Sequence, residues 1–221
     1  MAWFTQDSID FFRDLELNND RMWFEKNKKR YEAIVKQPME AFAEVMVERM
    51  REILPDIHMT GKQSVFRIHR DVRFSNDKRP YKTNAGLHIN GTGRGDLQSP
   101  GLYFHIDPRC TGIGSGLYTV ESPALRHLRQ YLAANPDEFE KQLADKDFKK
   151  YFGDIKGEAN KILPPELKGA AARQPLLYNK QFYYWSEHEA EEALRDDLPD
   201  FIMEHMRACR KMNEFLSKGR G

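Results

Sequence analysis

Cysteine is scarce: the 221 residues hold only Cys110 and Cys209. Neither has a Cys-x-x-Cys or Cys/His partner at metal-ligand spacing, which excludes a disulfide scaffold and predicts reduced thiols with no structural zinc. No metal and no cofactor are therefore expected. Long apolar runs are missing too. Nothing approaches the roughly 18 consecutive apolar residues of a membrane span, and the opening Met-Ala-Trp-Phe-Thr-Gln-Asp has neither a basic nor an apolar leader region. The expectation is a cytoplasmic protein with no membrane partner. Charge of one sign does not dominate, because 35 Lys and Arg face 34 Asp and Glu for a net +1. That balance excludes a chain that coats nucleic acid through a general positive field, so any such contact would be local. There is no Gly-x-Ser-x-Gly elbow and no His-Glu-x-x-His. Gly112-Ile-Gly-Ser-Gly116 lacks the Lys-Ser/Thr of a phosphate loop and the third-glycine spacing of a dinucleotide fingerprint, so it reads as a twisted strand.

What is present is a folded globular composition, 40% hydrophobic and 12% aromatic, without a long linker. One domain over 1–221 is the simplest expectation. Asp7 or Ser8 caps a first helix that carries Ile9, Phe12 and Leu15 and ends near Asn18. A second helix is predicted from about Asp20 to Val35. Pro38 then opens a third, Met39 to Leu54, and Pro55 stops it. Later helices are predicted from Ser122 to Asn135, from Asp137 to Leu143, and through Phe201, Ile202, Met206, Met212 and Phe215. Residues 145 to 181 are expected to be irregular, because Pro164, Pro165 and Pro175 interrupt them.

The middle of the chain reads as β. In Ser64 to Phe74 the residues Phe66, Ile68, Val72 and Phe74, with Arg70 as the single exception on their face, alternate against Arg67, His69, Asp71 and Arg73, which is the period of a half-buried strand. Further strands are predicted at 84–90, 102–107, 110–120 and 181–185, with Asp107-Pro108-Arg109 as a hairpin turn. Connections this short favour antiparallel pairing. The fold class is therefore α+β, a central antiparallel sheet flanked by N- and C-terminal helices.

Three stretches in order carry a family likeness: Asn18-Asn-Asp-Arg-Met-Trp-Phe-Glu-Lys-Asn-Lys28, then Phe66 to Phe74 with Lys78-Arg-Pro-Tyr-Lys82, then Gly101-Leu-Tyr-Phe-His105. Together they resemble the bacterial and fungal family catalogued as domain of unknown function 2461, over most of residues 5 to 135. The likeness is looser from 145 to 215, where the family's Pro-Lys-Gly element stands as Pro165-Glu-Leu-Lys-Gly169. Position 69, often tyrosine in that family, is His69 here, which weakens a mechanism needing an imidazole there. The resemblance implies a single α+β domain and supplies no established activity.

Function must then come from the residues. From 61 to 82 there are seven Lys or Arg against Asp71 and Asp77, the densest basic stretch of the chain. Arg67, Arg70, Arg73, Lys78, Arg79 and Lys82, with Tyr103, are the candidate ligand-binding set, suited to a phosphorylated or otherwise anionic small molecule. The opposing possibility is internal neutralisation by the acidic stretch Glu187 to Asp200. His69, His88 and His105 fall on the polar faces of successive predicted strands. That makes His69, Asp71 and His105 the candidate catalytic set of an alternative, a phosphoester hydrolase. A third alternative is an adaptor for nucleic acid or an acidic protein segment, with nucleic acid the less favoured partner. The sequence fixes no oligomeric state.

Overall fold

The computed structural model describes residues 2–220. Helix α1 (Gln6–Leu17) begins one residue after Thr5, whose side chain and that of Ser8 form a reciprocal capping box. Helix α2 (Arg21–Tyr31) is capped by Asp20, which accepts the Trp23 amide. The break expected at Pro38 does not occur. A π-helical turn, Glu32–Lys36, carries α2 directly into α3 (Gln37–Met50). Proline has no N–H, so in a regular helix it would leave the carbonyl four residues back unbonded. Here that carbonyl belongs to Ile34, and the buried Ser8 hydroxyl donates to it at 2.7 Å. A hydroxyl from α1 thus replaces the bond that Pro38 cannot make.

The four strands β1 (Ala85–Ile89), β2 (Leu102–Ile106), β3 (Cys110–Leu117) and β4 (Phe182–Glu189) form one antiparallel sheet in that order. The architecture is α+β, as the sequence predicts. The remaining helices are α4 (Gly61–Ser64), α5 (Ser122–Ala134), α6 (Pro136–Leu143), α7 (Lys146–Phe152), α8 (Lys168–Arg173) and α9 (Leu198–Arg220). Among the described residues no helix is long and apolar enough to cross a membrane.

The chain gathers into two compact units, each discontinuous in sequence. The first comprises the residues up to Arg94, Tyr103–Ile113 and Glu187–Met203. Its core is aromatic: Phe42 packs on Phe4 and on Phe104 of β2, while Phe24 lies 4.1 Å from the Tyr81 ring in a stacked pair. Such ring pairs add roughly 0.5 to 1.5 kcal/mol beyond the area they bury.

The second unit comprises Gly95–Leu102, Gly114–Ser186 and the chain from Glu204 onward. In it Phe139 stacks on Phe215 of α9, and Tyr184 of β4 is fully buried between Phe148 and Phe152. Residues 145 to 181 are more regular than expected. Besides α7 and α8 they contain 3₁₀ turns at Pro165–Leu167 and Pro175–Tyr178, and Lys156 pairs antiparallel with Tyr183. Each proline stands at the start of a turn, where its missing N–H has no bond to lose.

The strand predicted over Ser64 to Phe74 needs correction. Residues 61–64 are the short helix α4, and the chain beyond is extended but pairs only at isolated bridges, Val65 with Leu87 and His69 with Tyr81. Ile68 is buried, whereas Phe74 is 93% exposed. The alternation is real in sequence but covers no continuous buried face, because past Ile68 the segment folds back on itself instead of joining the sheet.

Candidate functional site

The folded-back segment is an arm with a fixed base. Asn19, in the link between α1 and α2, donates to the Tyr81 carbonyl and accepts the Tyr81 amide, both at 3.0 Å. Within the arm, Arg70 N bonds Pro80 O and Lys82 N bonds Ile68 O. Most of the arm's charge is matched inside the arm. Arg70 donates to Asp77 at 2.7 Å, and Arg79 grips the same carboxylate through its Nε and Nη2. Arg73 forks onto Asp71, and the Lys78 ammonium donates to the Val72 carbonyl at 3.0 Å. Arg70, Arg73, Lys78 and Arg79 therefore shape the loop.

The acidic stretch considered as the neutraliser is engaged elsewhere. Glu191 meets Arg13, Asp200 meets Arg49, and Glu192 and Asp197 hold Arg195.

Asp77 is the keystone of the arm, and Arg79, then Arg70, hold its carboxyl well below the usual carboxylate range. A carboxyl depressed in the folded state contributes order above its unfolded pKa and loses it only as pH falls through the lower folded value. Amide protection in residues 70–80 is accordingly expected to survive at pH 4 and to fall only in stronger acid. In Asp77→Asn it should be lost at neutral pH with little change in overall Tm, as hydrogen exchange read by mass spectrometry would show. Unchanged exchange in the variant would contradict this role.

Two cations of the candidate set are placed differently. Lys82 is half-buried with its ammonium 5.0 Å from the Phe66 ring centroid, and Arg94 covers the same ring at 5.6 Å. Arg94 also donates to the Val65 carbonyl. Burial pushes the Lys82 amine below its ordinary value, and the charges of Arg67 and Arg94 push it further. Among the described residues no carboxylate forms an ion pair with Arg67, Lys82 or Arg94. Arg67 is exposed. Tyr103 borders the group, its ring 6.1 Å from that of Phe66.

Tyr103 connects onward to a second cluster. Its hydroxyl lies 3.3 Å from His105 Nδ1, and His105 Nε2 faces Cys110 Sγ at 3.6 Å and Asp107 Oδ2 at 3.8 Å. The hairpin between β2 and β3 makes this possible. Asp107 Oδ1 accepts the amides of Arg109 and Cys110 at 2.7 and 2.9 Å, closing the turn and bringing Cys110 opposite His105. Burial lowers the His105 pKa from its ordinary value, against the opposing pull of Asp107 and Glu187. Burial, Asp107 and Glu187 together push the Cys110 thiol up to about 11. This pair is the opposite of an activated thiolate, which needs a positive setting. Cys110 opens onto a cleft of about 470 Å³ whose wall includes Arg109, Glu187, His188 and Phe201.

Of the candidate catalytic set, only His105 stands here. His69 packs against Phe24 and Tyr81, Asp71 is taken by Arg73, and neither bonds to His105 among the described residues. His88 is buried with Nδ1 against the Arg94 carbonyl. Two participants, Arg94 and Cys110, were not foreseen: Arg94 lies in the glycine-rich loop between β1 and β2, and Cys110 opens β3, whereas Asp107 stands two residues beyond His105 on the same predicted strand face. The spacing His105-x-Asp107-x-x-Cys110 across a predicted hairpin was the available signal.

A family model described as "Conserved hypothetical protein (DUF2461)" matches residues 7–215. No curated protein matches the chain.

Proposed function

The chain belongs to the conserved hypothetical family DUF2461, and from its own residues we propose that it binds a phosphorylated or otherwise anionic small ligand at Arg67, Lys82 and Arg94. Tyr103 is the neighbouring hydroxyl donor. The observation that carries this reading is a contrast: four cations of the arm have partners inside it, while among the described residues Lys82 and its two cationic neighbours, Arg67 and Arg94, form no ion pair with a carboxylate. Holding a half-buried ammonium beside two guanidinium groups costs free energy, and a bound anion returns it. Both Lys82 and Arg94 lie over Phe66, so recognition would proceed through charge and not through stacking on that ring.

The placement of His69 and Asp71 lends the hydrolase alternative no support. Three clustered cations are also few for an adaptor that tracks a nucleic-acid backbone, whose affinity grows with each phosphate neutralised.

Thermal-shift titration with inorganic phosphate, sugar phosphates and nucleotides tests the proposal. A ligand present at about 100 times its Kd stabilises the folded state by about 2.7 kcal/mol, a rise of roughly 5 to 10 °C in Tm at this size. Lys82→Gln should weaken the responding compound by about tenfold or more, the usual loss of a charge-assisted contact. Arg73→Gln, which loses the Asp71 pair and the contact over the exposed Phe74 ring, should leave the response unchanged. No shift with any of these anions, or a full response in Lys82→Gln, would defeat the proposal.

A further inference from the structure

We propose that His105, Asp107 and Cys110 form a binding site for a divalent transition metal of the zinc and cobalt(II) class, whose donors are distinct from the cations of the anion site and which adjoins it at Tyr103. His105 Nε2, an Asp107 oxygen and Cys110 Sγ all lie within 4.8 Å of one another. The separations have meaning for a tetrahedral ion. With metal–nitrogen and metal–oxygen bonds of about 2.0 Å and a metal–sulfur bond of about 2.3 Å, neighbouring donors stand about 3.3 to 3.6 Å apart. His105 Nε2 is already 3.6 Å from Cys110 Sγ and 3.8 Å from Asp107 Oδ2. Two sides of the triangle are thus close to those of an occupied tetrahedral site, and the third lies within 4.8 Å.

The groups behind the donors are the ones a metal site requires. The ring nitrogen of His105 that points away from the cluster faces the Tyr103 hydroxyl at 3.3 Å, which orients Nε2 toward the other two donors. Asp107 is held by the amides on Oδ1, while Oδ2 faces His105 Nε2 at 3.8 Å and the mostly exposed Arg109 guanidinium at 3.7 Å, which a bound cation would displace toward solvent. All three donors stand on one hairpin, a rigid support.

The mixture of imidazole, carboxylate and thiol suits a borderline-soft ion and disfavours magnesium or calcium, which take oxygen donors. Three protein donors leave one tetrahedral position, and Cys110 borders the cleft whose wall also carries Glu187. The geometry points to a metal with one coordination position facing that cleft, the arrangement of catalytic and not of closed structural zinc sites.

The test uses the full-length protein, treated with a chelator, desalted and titrated with cobalt(II). The expected result is a thiolate-to-cobalt charge-transfer band in the near ultraviolet with visible d–d bands of four-coordinate intensity, saturating at one equivalent and abolished by zinc(II). Cys110→Ser should lose the charge-transfer band, while Cys209→Ser should keep it. Asp107→Asn should weaken cobalt(II) by tenfold or more. Far-ultraviolet circular dichroism of each metal-free variant separates loss of a ligand from loss of the fold. Absence of the band in the parent protein, or its persistence in a folded Cys110→Ser, would overturn the proposal.

Discussion

Gly61→Ala is expected to destabilise the protein by about 3 to 5 kcal/mol, a fall of roughly 10 °C or more in Tm. Gly61 opens α4, whose N-terminal turn lies directly against the backbone of α3. A Cβ built there would collide with the Glu44 amide nitrogen and stand 2.6 Å from the Ala43 carbonyl carbon. Overpacking in a core usually costs about 1 to 3 kcal/mol because a side chain can change rotamer. Here the obstacles are main-chain atoms of a helix whose own side chains, Phe42 and Met46, are completely buried, so either α3 or α4 must move bodily. The capping box of α4, in which Thr60 and Gln63 exchange bonds, would be pulled apart with it. Gly95→Ala is the matched control: nothing lies within 4 Å of its added methyl, and its effect should stay within about 0.5 kcal/mol. Chemical denaturation of the two variants decides the matter. Equal stabilities would mean that α4 does not pack as described.

The second large effect concerns polar groups inside an apolar helix face. Asn213 of α9 accepts the buried Tyr184 hydroxyl and shares a hydrogen bond of 3.0 to 3.1 Å with Ser115. All three residues are under 9% exposed. Asn213→Leu supplies an apolar side chain of similar size but removes the amide that both hydroxyls bond, leaving them only each other and the Cys209 thiol, and because an unsatisfied buried group costs about 1 to 3 kcal/mol, a loss of about 2 kcal/mol or more is expected. Tyr184→Phe alone should cost only about 1 kcal/mol. Because the penalty lies in the abandoned hydroxyl, the double variant should be more stable than the sum of the single changes predicts, by about 1 kcal/mol or more. Strict additivity in urea unfolding would show that the bond from Tyr184 is not what holds Asn213 in the core.

Asn213 also shows where reading the sequence reaches its limit. Met206, Met212 and Phe215 mark the buried side of α9 by spacing alone, and a lone asparagine beside them looks like the start of the solvent face. Its burial depends on Tyr184 and Ser115, 29 and 98 residues distant. Pro38 is a similar case. Read locally, it must begin a new helix, yet Ser8 satisfies the orphaned Ile34 carbonyl and α2 runs on into α3 through the π-helical turn. The basic arm misleads for a further reason. Alternation of Phe66, Ile68, Val72 and Phe74 is necessary for a strand and not sufficient, since a strand also needs a partner edge along its whole length. Beyond Val65 the arm pairs with itself, and Asp71 and Asp77 capture arginines that an isolated reading assigns to a ligand.

Periodicity and turn chemistry alone determined the α+β class, most helix positions, the β2–β3 hairpin and the concentration of positive charge near residues 61–82, because each rests on interactions spanning only a few residues. Tertiary structure decided which charges are spent inside the arm, that Arg94 joins Lys82 over Phe66, and that the tight turn sets Cys110 across from His105. Counter-charges, donor sets and cavities are defined by distance in space. Chain spacing encodes such distances only where a regular element or a tight turn converts one into the other.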